Sequence, residues 1–387
     1  MNKNTDRIRT THVGSLIRPP ALRAYISAIE AGVTVDASAY DLCLQSAIND
    51  VLRKQASIGI DIPSDGEFSK FRTWSYYIVD RLEGIVERSI QAQAGAGKDA
   101  CCFPEFYSQY FPTQKLPARG ITVVTGPIRY KGHSAVREDI RRLKNGLAAT
   151  GLPAAFMPVV APASALPFYE DQYYGSEEKL IFAMADALHE EYREIIDAGL
   201  ILQIDDAFIP YMWDIAFVDK GVGAYREWVE LRIAATNRAL KGLPQDQIRC
   251  HVCWGSFNTP HTTDVPLRDI ADLLVKIDAG AFCLEMANPR HQHEWRVWEE
   301  VTLPQDKVLI PGLISHATNV VEHPELVAER IVRLASILGR ERVLAGTDCG
   351  FAQGPHIERV HPSIMWAKLE ALVAGARIAS RTLWSTK

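Results

Sequence analysis

No stretch of the 387-residue chain approaches the unbroken apolar run of about 18 residues that a membrane-spanning helix needs, so no membrane association is expected. The opening residues, MNKNTDRIRTTHVGS, contain no apolar core, so a secretory leader is not expected and a cytoplasmic location is. Basic charge is not in excess: 42 Lys and Arg stand against 47 Asp and Glu, for a formal charge of −5, and no basic run breaks the pattern. That balance argues against a nucleic-acid partner. Cysteine is scarce and scattered, seven residues in all, too few for a disulfide scaffold. The odd count instead directs attention to metal or thiol chemistry. No G-x-S-x-G elbow and no G-x-G-x-x-G after a strand is present, which removes the usual support for hydrolase and dinucleotide functions. Gly95-Ala96-Gly97-Lys98 resembles a phosphate loop, but Ala92 replaces the leading Gly and Asp99 the Ser or Thr, so it reads as plain loop.

What is present is alternation. Short apolar runs end in small or polar residues and are followed by amphipathic stretches. Candidate strands fall at 10–13, 58–62, 121–124, 155–160, 200–204, 248–252, 281–284, 308–310 and 343–345, and helical periods at 177–198, 267–279 and 324–338. Strand–helix alternation over the whole length predicts a parallel sheet with crossover helices. A closed (β/α)8 TIM barrel is favoured over an open sheet, because chemically interesting residues sit at the end of nearly every strand and a barrel gathers those ends on one face. Nine candidates are one too many, so one must lie outside the barrel. The stretch 87–120 has no clear period and reads as an insertion, a lid or an oligomer contact, within a single domain spanning 1–387.

Three strand ends carry soft or borderline metal ligands. His251 and Cys253 are two residues apart and share one side of an extended chain. Glu285 ends the next strand, and Cys349 follows the last within Gly346-Thr347-Asp348-Cys349-Gly350-Phe351. One imidazole, two thiolates and a carboxylate suit tetrahedral zinc. Spacing alone leaves open the alternative of buried cysteines beside a structural histidine. Other candidates are weaker: His291-Gln292-His293-Glu294 reads as a solvated helix start, Cys43 as core, and the vicinal Cys101-Cys102 as poor chelators.

The order H-x-C, Glu, D-C-G at strand ends resembles the catalytic barrel of the cobalamin-independent methionine synthase family, whose fold is akin to that of uroporphyrinogen decarboxylase. Thr11-His12-Val13-Gly14-Ser15 is similar to that family's I-G-S loop, Asp65-Gly66-Glu67 to its H-G-E segment and Gln203-Ile204-Asp205 to its Q-I-D segment. The resemblance covers roughly residues 10–380. It implies that His251, Cys253, Glu285 and Cys349 bind zinc, that the zinc holds a substrate thiol, that Gly14 and Ser15 take an amino-acid carboxylate, and that Glu67 and Asp205 hold the amino group. Departures are equally plain. There is no room for the family's additional N-terminal barrel, the tryptophan beside folate is replaced by the stretch Ala161-Pro162-Ala163-Ser164-Ala165-Leu166, and His316 follows Gly312 by four positions rather than five.

The expected activity is therefore a zinc-dependent thiol S-alkyltransferase, foremost a homocysteine S-methyltransferase forming methionine, with Glu285 as the exchangeable ligand and His316 as general acid. The donor is left open among a methylcobalamin, a corrinoid protein and a folate, and a homo-oligomer is compatible. An epoxyalkane:coenzyme M transferase is the enzyme alternative; two acids for an amino group favour the amino-acid thiol. From the residues alone, Glu67 and Asp205 could equally be helix caps or ion-pair partners, and Gly14-Ser15 a tight turn. Asp348 reads as a turn residue or as a support for a ligand histidine, and the role of Asp206 is open. Tyr173, Tyr174, Phe208, Tyr211 and Trp213 are candidates for the electrophile pocket or for core. A metal-free decarboxylase would need an arginine-rich cradle, for which only Arg18 is well placed; a purely structural zinc protein is the remaining rival.

Overall fold

A computed structural model describes residues 3–89, 97–114, 120–165 and 168–385. Strands among them are β1 (Leu82–Ser89), β2 (Gly120–Tyr130), β3 (Phe156–Val160), β4 (Tyr169–Asp171), β5 (Ile201–Asp205), β6 (Ile248–Val252), β7 (Ala281–Leu284), β8 (Val308–Ile314) and β9 (Gly346–Thr347). The order β3-β5-β6-β7-β8-β9 is parallel throughout. Two extended segments close the ring. Thr10 bridges Ala345, Thr11 bridges Ile62, and Phe156 N donates to Pro63 O at 3.0 Å. These contacts make eight staves, the (β/α)8 barrel.

The surplus candidate is 121–124. It belongs to β2, which pairs antiparallel with β1 and parallel with β4 in a separate three-stranded sheet. The expected second strand is also trimmed, because residue 58 still ends the helix Ala37–Ile58. The helices Glu177–Asp197 and Pro324–Leu338 match their periodicities, capped by Ser176 and by His323 before Pro324. The expected helix 267–279 is instead a 3-10 turn, Leu267–Asp269, and one α turn, Ala271–Leu274.

Strand period decides what each residue faces. Phe156, Ala281, Cys283, Val308, Ile310 and Leu344 form an inner cluster, whereas their neighbours Leu202, Ile204, Phe282, Leu284 and Leu309 join the larger core beneath the helices. Inside the barrel Arg249 is fully buried, stacked 3.4 Å from the Phe156 ring centre. It donates to Gln203 Oε1 (2.7 Å), Thr11 Oγ1 (2.8 Å) and the His12 carbonyl (2.7 Å). Arg249→Ala would orphan three acceptors and open a cavity, so a loss of at least about 3 kcal/mol is expected in urea denaturation.

Part of the insertion crosses the barrel's C-terminal mouth. Helices Lys98–Cys102 and Pro104–Tyr110 lie there. Asp99 accepts from His261 N (3.1 Å), Thr262 N (2.9 Å) and Thr262 Oγ1 (2.6 Å), all on the loop that follows Cys253. Tyr110 Oη accepts from Asn258 N at 2.8 Å, and Gln114 Oε1 from Arg359 at 3.1 Å. Of the phosphate-loop look-alike, Gly95 and Ala96 lie outside the described residues, and Gly97-Lys98 open the short helix.

Candidate active site

The register fixes which side chains share the mouth. Asp205 pairs with His251 across β5 and β6, and His251 with Cys283 across β7, so Asp205, His251 and the residues just beyond the strand ends rise on one side. There the donor atoms of His251, Cys253 and Cys349 all lie within 4.8 Å of one another, and all three residues are buried. The sulfurs of Cys253 and Cys349 are 3.8 Å apart. Two thiolates about 2.3 Å from a shared tetrahedral ion would be separated by roughly that distance. Among the described residues neither ring nitrogen of His251 has a hydrogen-bond partner, although the ring is buried. An orphaned buried imidazole beside two converging thiols fits a soft or borderline cation, for burial without a partner is otherwise costly. The adjacent Cys349 thiol, then burial, holds the Cys253 thiol well above its ordinary range while no cation is present.

Of the four expected ligands the structure brings together three. Glu285 stands outside the trio. Its Oε1 accepts from Trp254 N (3.0 Å) and its Oε2 from Asn288 Nδ2 (2.7 Å), and burial pushes its carboxyl well up. Each oxygen keeps a lone pair beyond the one that accepts its donor, so these hydrogen bonds hold the carboxylate beside the trio without barring it from a cation. Asp348 does not orient a ligand histidine: it accepts from the backbone of Met286 (2.9 Å), Ala287 (2.8 Å) and Asn288 (2.9 Å), fixing the turn that follows Glu285. Asp206 is likewise a local anchor, accepting from Ser164 Oγ at 2.8 Å.

The expected substrate-holding residues converge beside the trio. Glu67 sits in the left-handed region at φ 62°, held by Asp65 Oδ1, which accepts from Glu67 N at 2.9 Å. Burial raises the Asp205 carboxyl to about 7, with the neighbouring Glu67 pushing the same way and His251 opposing. Gln203 Nε2 donates to Asp205 at 2.7 Å. The Gly14 amide donates to His12 Nδ1 at 3.1 Å. The glycine is needed for its φ of 135° and its lack of a Cβ, which would sit 3.0 Å from Pro158 Cγ and 3.2 Å from Glu67 Oε1. Ser15 is buried against Gly350.

His316 follows β8 and is buried, with no hydrogen-bond partner for either ring nitrogen among the described residues; burial, then Arg359, lowers it to about 3. It is a neutral imidazole at pH 7, a donor of one N–H rather than a charged acid. His291 and Glu294 are not a solvated helix start. Both are buried, with His291 between Asp264 (3.1 Å) and Glu294 (2.8 Å) and its ring 4.5 Å from that of Trp254. A cavity of about 60 Å³ between residues 97–111 and the loop after Cys253 is lined by Tyr107, Phe111, Tyr211, Trp254 and Phe257. Sequence reading gave no role to Lys70. Its Nζ is 3.6 Å from Glu67 Oε2, and both side chains are buried. Arg18 serves the same turn, donating to the carbonyls of Glu67 and Lys70 rather than forming a decarboxylase cradle.

A parallel eight-stave barrel with an imidazole, two thiols and paired acids at its C-terminal mouth has the form of a barrel enzyme with its site at the strand ends. The family model described as cobalamin-independent synthase, catalytic domain, matches residues 168–367. The chain belongs to this cobalamin-independent methionine synthase family, and is a methionine synthase-like methyltransferase. A methionine synthase of Saccharolobus islandicus is 24% identical over 97% of this chain and 95% of its own length. A Bacillus subtilis protein called YxjH and described as uncharacterized is 26% identical over 94% and 93%. A B12-independent methionine synthase from Shewanella, solved with selenomethionine, superposes with a TM-score of 0.71 at 20% identity, covering 98% of this chain and all of its own, and shows the fold.

Proposed function

We propose that the chain is a zinc-dependent homocysteine S-methyltransferase that forms methionine. The observation that carries this reading is the convergence of His251, Cys253 and Cys349 beside the two buried acids Glu67 and Asp205. The name of the Saccharolobus relative supports it. His251, Cys253 and Cys349 would hold the zinc, and Glu285 would be the fourth, exchangeable ligand. A bound zinc would acidify a substrate thiol, which at its ordinary pKa near 8.5 is only a few per cent thiolate at neutral pH.

The remaining work falls to the chain. Glu67 and Asp205 hold the substrate amino group and so aim the sulfur toward the trio. Ser15 offers its hydroxyl and amide to the carboxylate end. Trp254 N and Asn288 Nδ2 keep Glu285 beside the centre when it is not a ligand. The 97–114 segment limits water at the mouth. His316, neutral and unpartnered, can give a hydrogen bond to a leaving group in the donor. Holding both reactants in line supplies much of the rate.

The test is to give the zinc-loaded protein homocysteine, then methylcobalamin or a methylfolate, and follow proton release on thiol binding and methionine by mass spectrometry. Proton release with homocysteine, and methionine with one of the donors, is the expected result. A response to coenzyme M alone would overturn the reading.

A further inference from the structure

Lys70 is an unusual residue to find in a pocket whose expected work is to hold an ammonium. Its side chain is 7% exposed, and its Nζ makes no hydrogen bond among the described residues. Its nearest charge, Glu67 Oε2 at 3.6 Å, lies beyond hydrogen-bond range, and the Tyr77 ring centre is 4.5 Å away. An ammonium carries three donors, and burying it with all three idle is expensive unless something else brings acceptors. The turn that presents it is held from both ends: Lys70 N donates to Glu67 O at 3.1 Å, and Arg18 donates to the carbonyls of both residues.

Lys70 apart, the same neighbourhood offers the substrate carboxylate only the neutral donors of Ser15, and no charge of opposite sign. The Gly14 amide, expected to take a carboxylate, donates to His12. Two facing acids without a cation would attract an amine and repel the carboxylate attached to it. Lys70 changes that balance, since its charge acts on Asp205 as well as on Glu67. Glu67, Lys70 and Asp205 together present alternating charges, the complement of a zwitterion.

We propose that Lys70 is the specificity-determining cation of the thiol pocket, binding the carboxylate of an amino-acid thiol whose ammonium is held by Glu67 and Asp205. This rests on the homocysteine reading above, and extends it by naming the group that reads the acid end. Neutral Lys70→Met and Lys70→Gln variants remove the charge, and Lys70→Arg keeps it.

Calorimetry on the zinc-loaded protein would compare three thiols: homocysteine, 3-mercaptopropylamine, which lacks the carboxylate, and 4-mercaptobutyrate, which lacks the amine. In either neutral variant homocysteine affinity should fall about 10- to 100-fold, as for loss of a charge-assisted hydrogen bond, while 3-mercaptopropylamine changes by less than about threefold. Lys70→Arg should restore most of the homocysteine affinity, and turnover should show the loss in KM rather than kcat. Equal weakening of both amine-bearing thiols, with a lowered Tm, would make Lys70 merely structural and overturn the proposal. A wild type that takes 4-mercaptobutyrate and refuses homocysteine would remove the amino-acid reading alone. The role of Lys70 as carboxylate reader would then be upheld by loss of 4-mercaptobutyrate binding in Lys70→Met and overturned by its persistence. Binding of none of the three by wild type would overturn both.

Discussion

A Cys349→Ser variant is expected to lose stoichiometric zinc and nearly all methionine formation, at least about 10³-fold, while keeping its fold. Cys349 Sγ faces Cys253 Sγ at 3.8 Å, its one hydrogen-bonding contact through sulfur among the described residues, so the substitution leaves the surrounding packing intact. What changes is the donor. A serine hydroxyl is harder than a thiolate and keeps its proton at neutral pH, leaving one sulfur, one imidazole and the exchangeable Glu285 to hold the ion. Glu285, the proposed fourth ligand, does not make good the missing sulfur, because a carboxylate is a harder donor than a thiolate. Metal analysis after dialysis against a mild chelator, with circular dichroism for the fold, decides the matter. Equal zinc in variant and wild type would place the centre elsewhere.

Gly350→Ala is expected to strike the substrate end of the site rather than the metal end. A methyl at Gly350 would collide with Ser15 Oγ and lie 3.1 Å from Ser15 Cβ and 3.3 Å from Ser15 N. The two segments cannot simply part, because Phe351 N donates to the Ser15 carbonyl at 2.9 Å. Ser15 must therefore shift. The homocysteine KM should rise about 10- to 100-fold with a smaller change in kcat, and stability should fall by about 1–3 kcal/mol. Zinc content separates the two predictions: Cys349→Ser loses it and Gly350→Ala keeps it. A variant that bound homocysteine normally would remove Ser15 from the substrate site.

The barrel and the pairing of His251 with Cys253 were legible because both are written in short-range pattern. His251 is the last residue but one of β6, and Cys253 follows its end at Val252, so the spacing of two carries both side chains to the barrel's mouth. The surplus strand at 121–124 was not separable, because an alternating apolar run reads alike in a barrel and in the β1–β2 pair. The failed helix at 267–279 has a different cause. Its periodic residues are buried as expected, but the carbonyls of Val275 and Ile277 turn to the Lys307 ammonium, and Glu294 accepts the Leu267 amide at 2.7 Å. Those partners lie 27 to 32 residues away, beyond any local period. The same distance effect hid His291, whose burial depends on Asp264 and Glu294 arriving together. Lys70 left no trace because a lone lysine on a turn carries no pattern; only the crowding of Glu67, Tyr77 and Asp205 gives it meaning.

The attachment of Asp99 to His261 and Thr262 ties the cover of the barrel to the stretch of chain leaving Cys253. If Cys253 holds zinc as proposed, loosening that attachment would disturb the segment that carries it. Access for reactants and retention of the ion would then share one latch, and a chelator should strip an Asp99→Ala variant faster than one altered elsewhere on the surface.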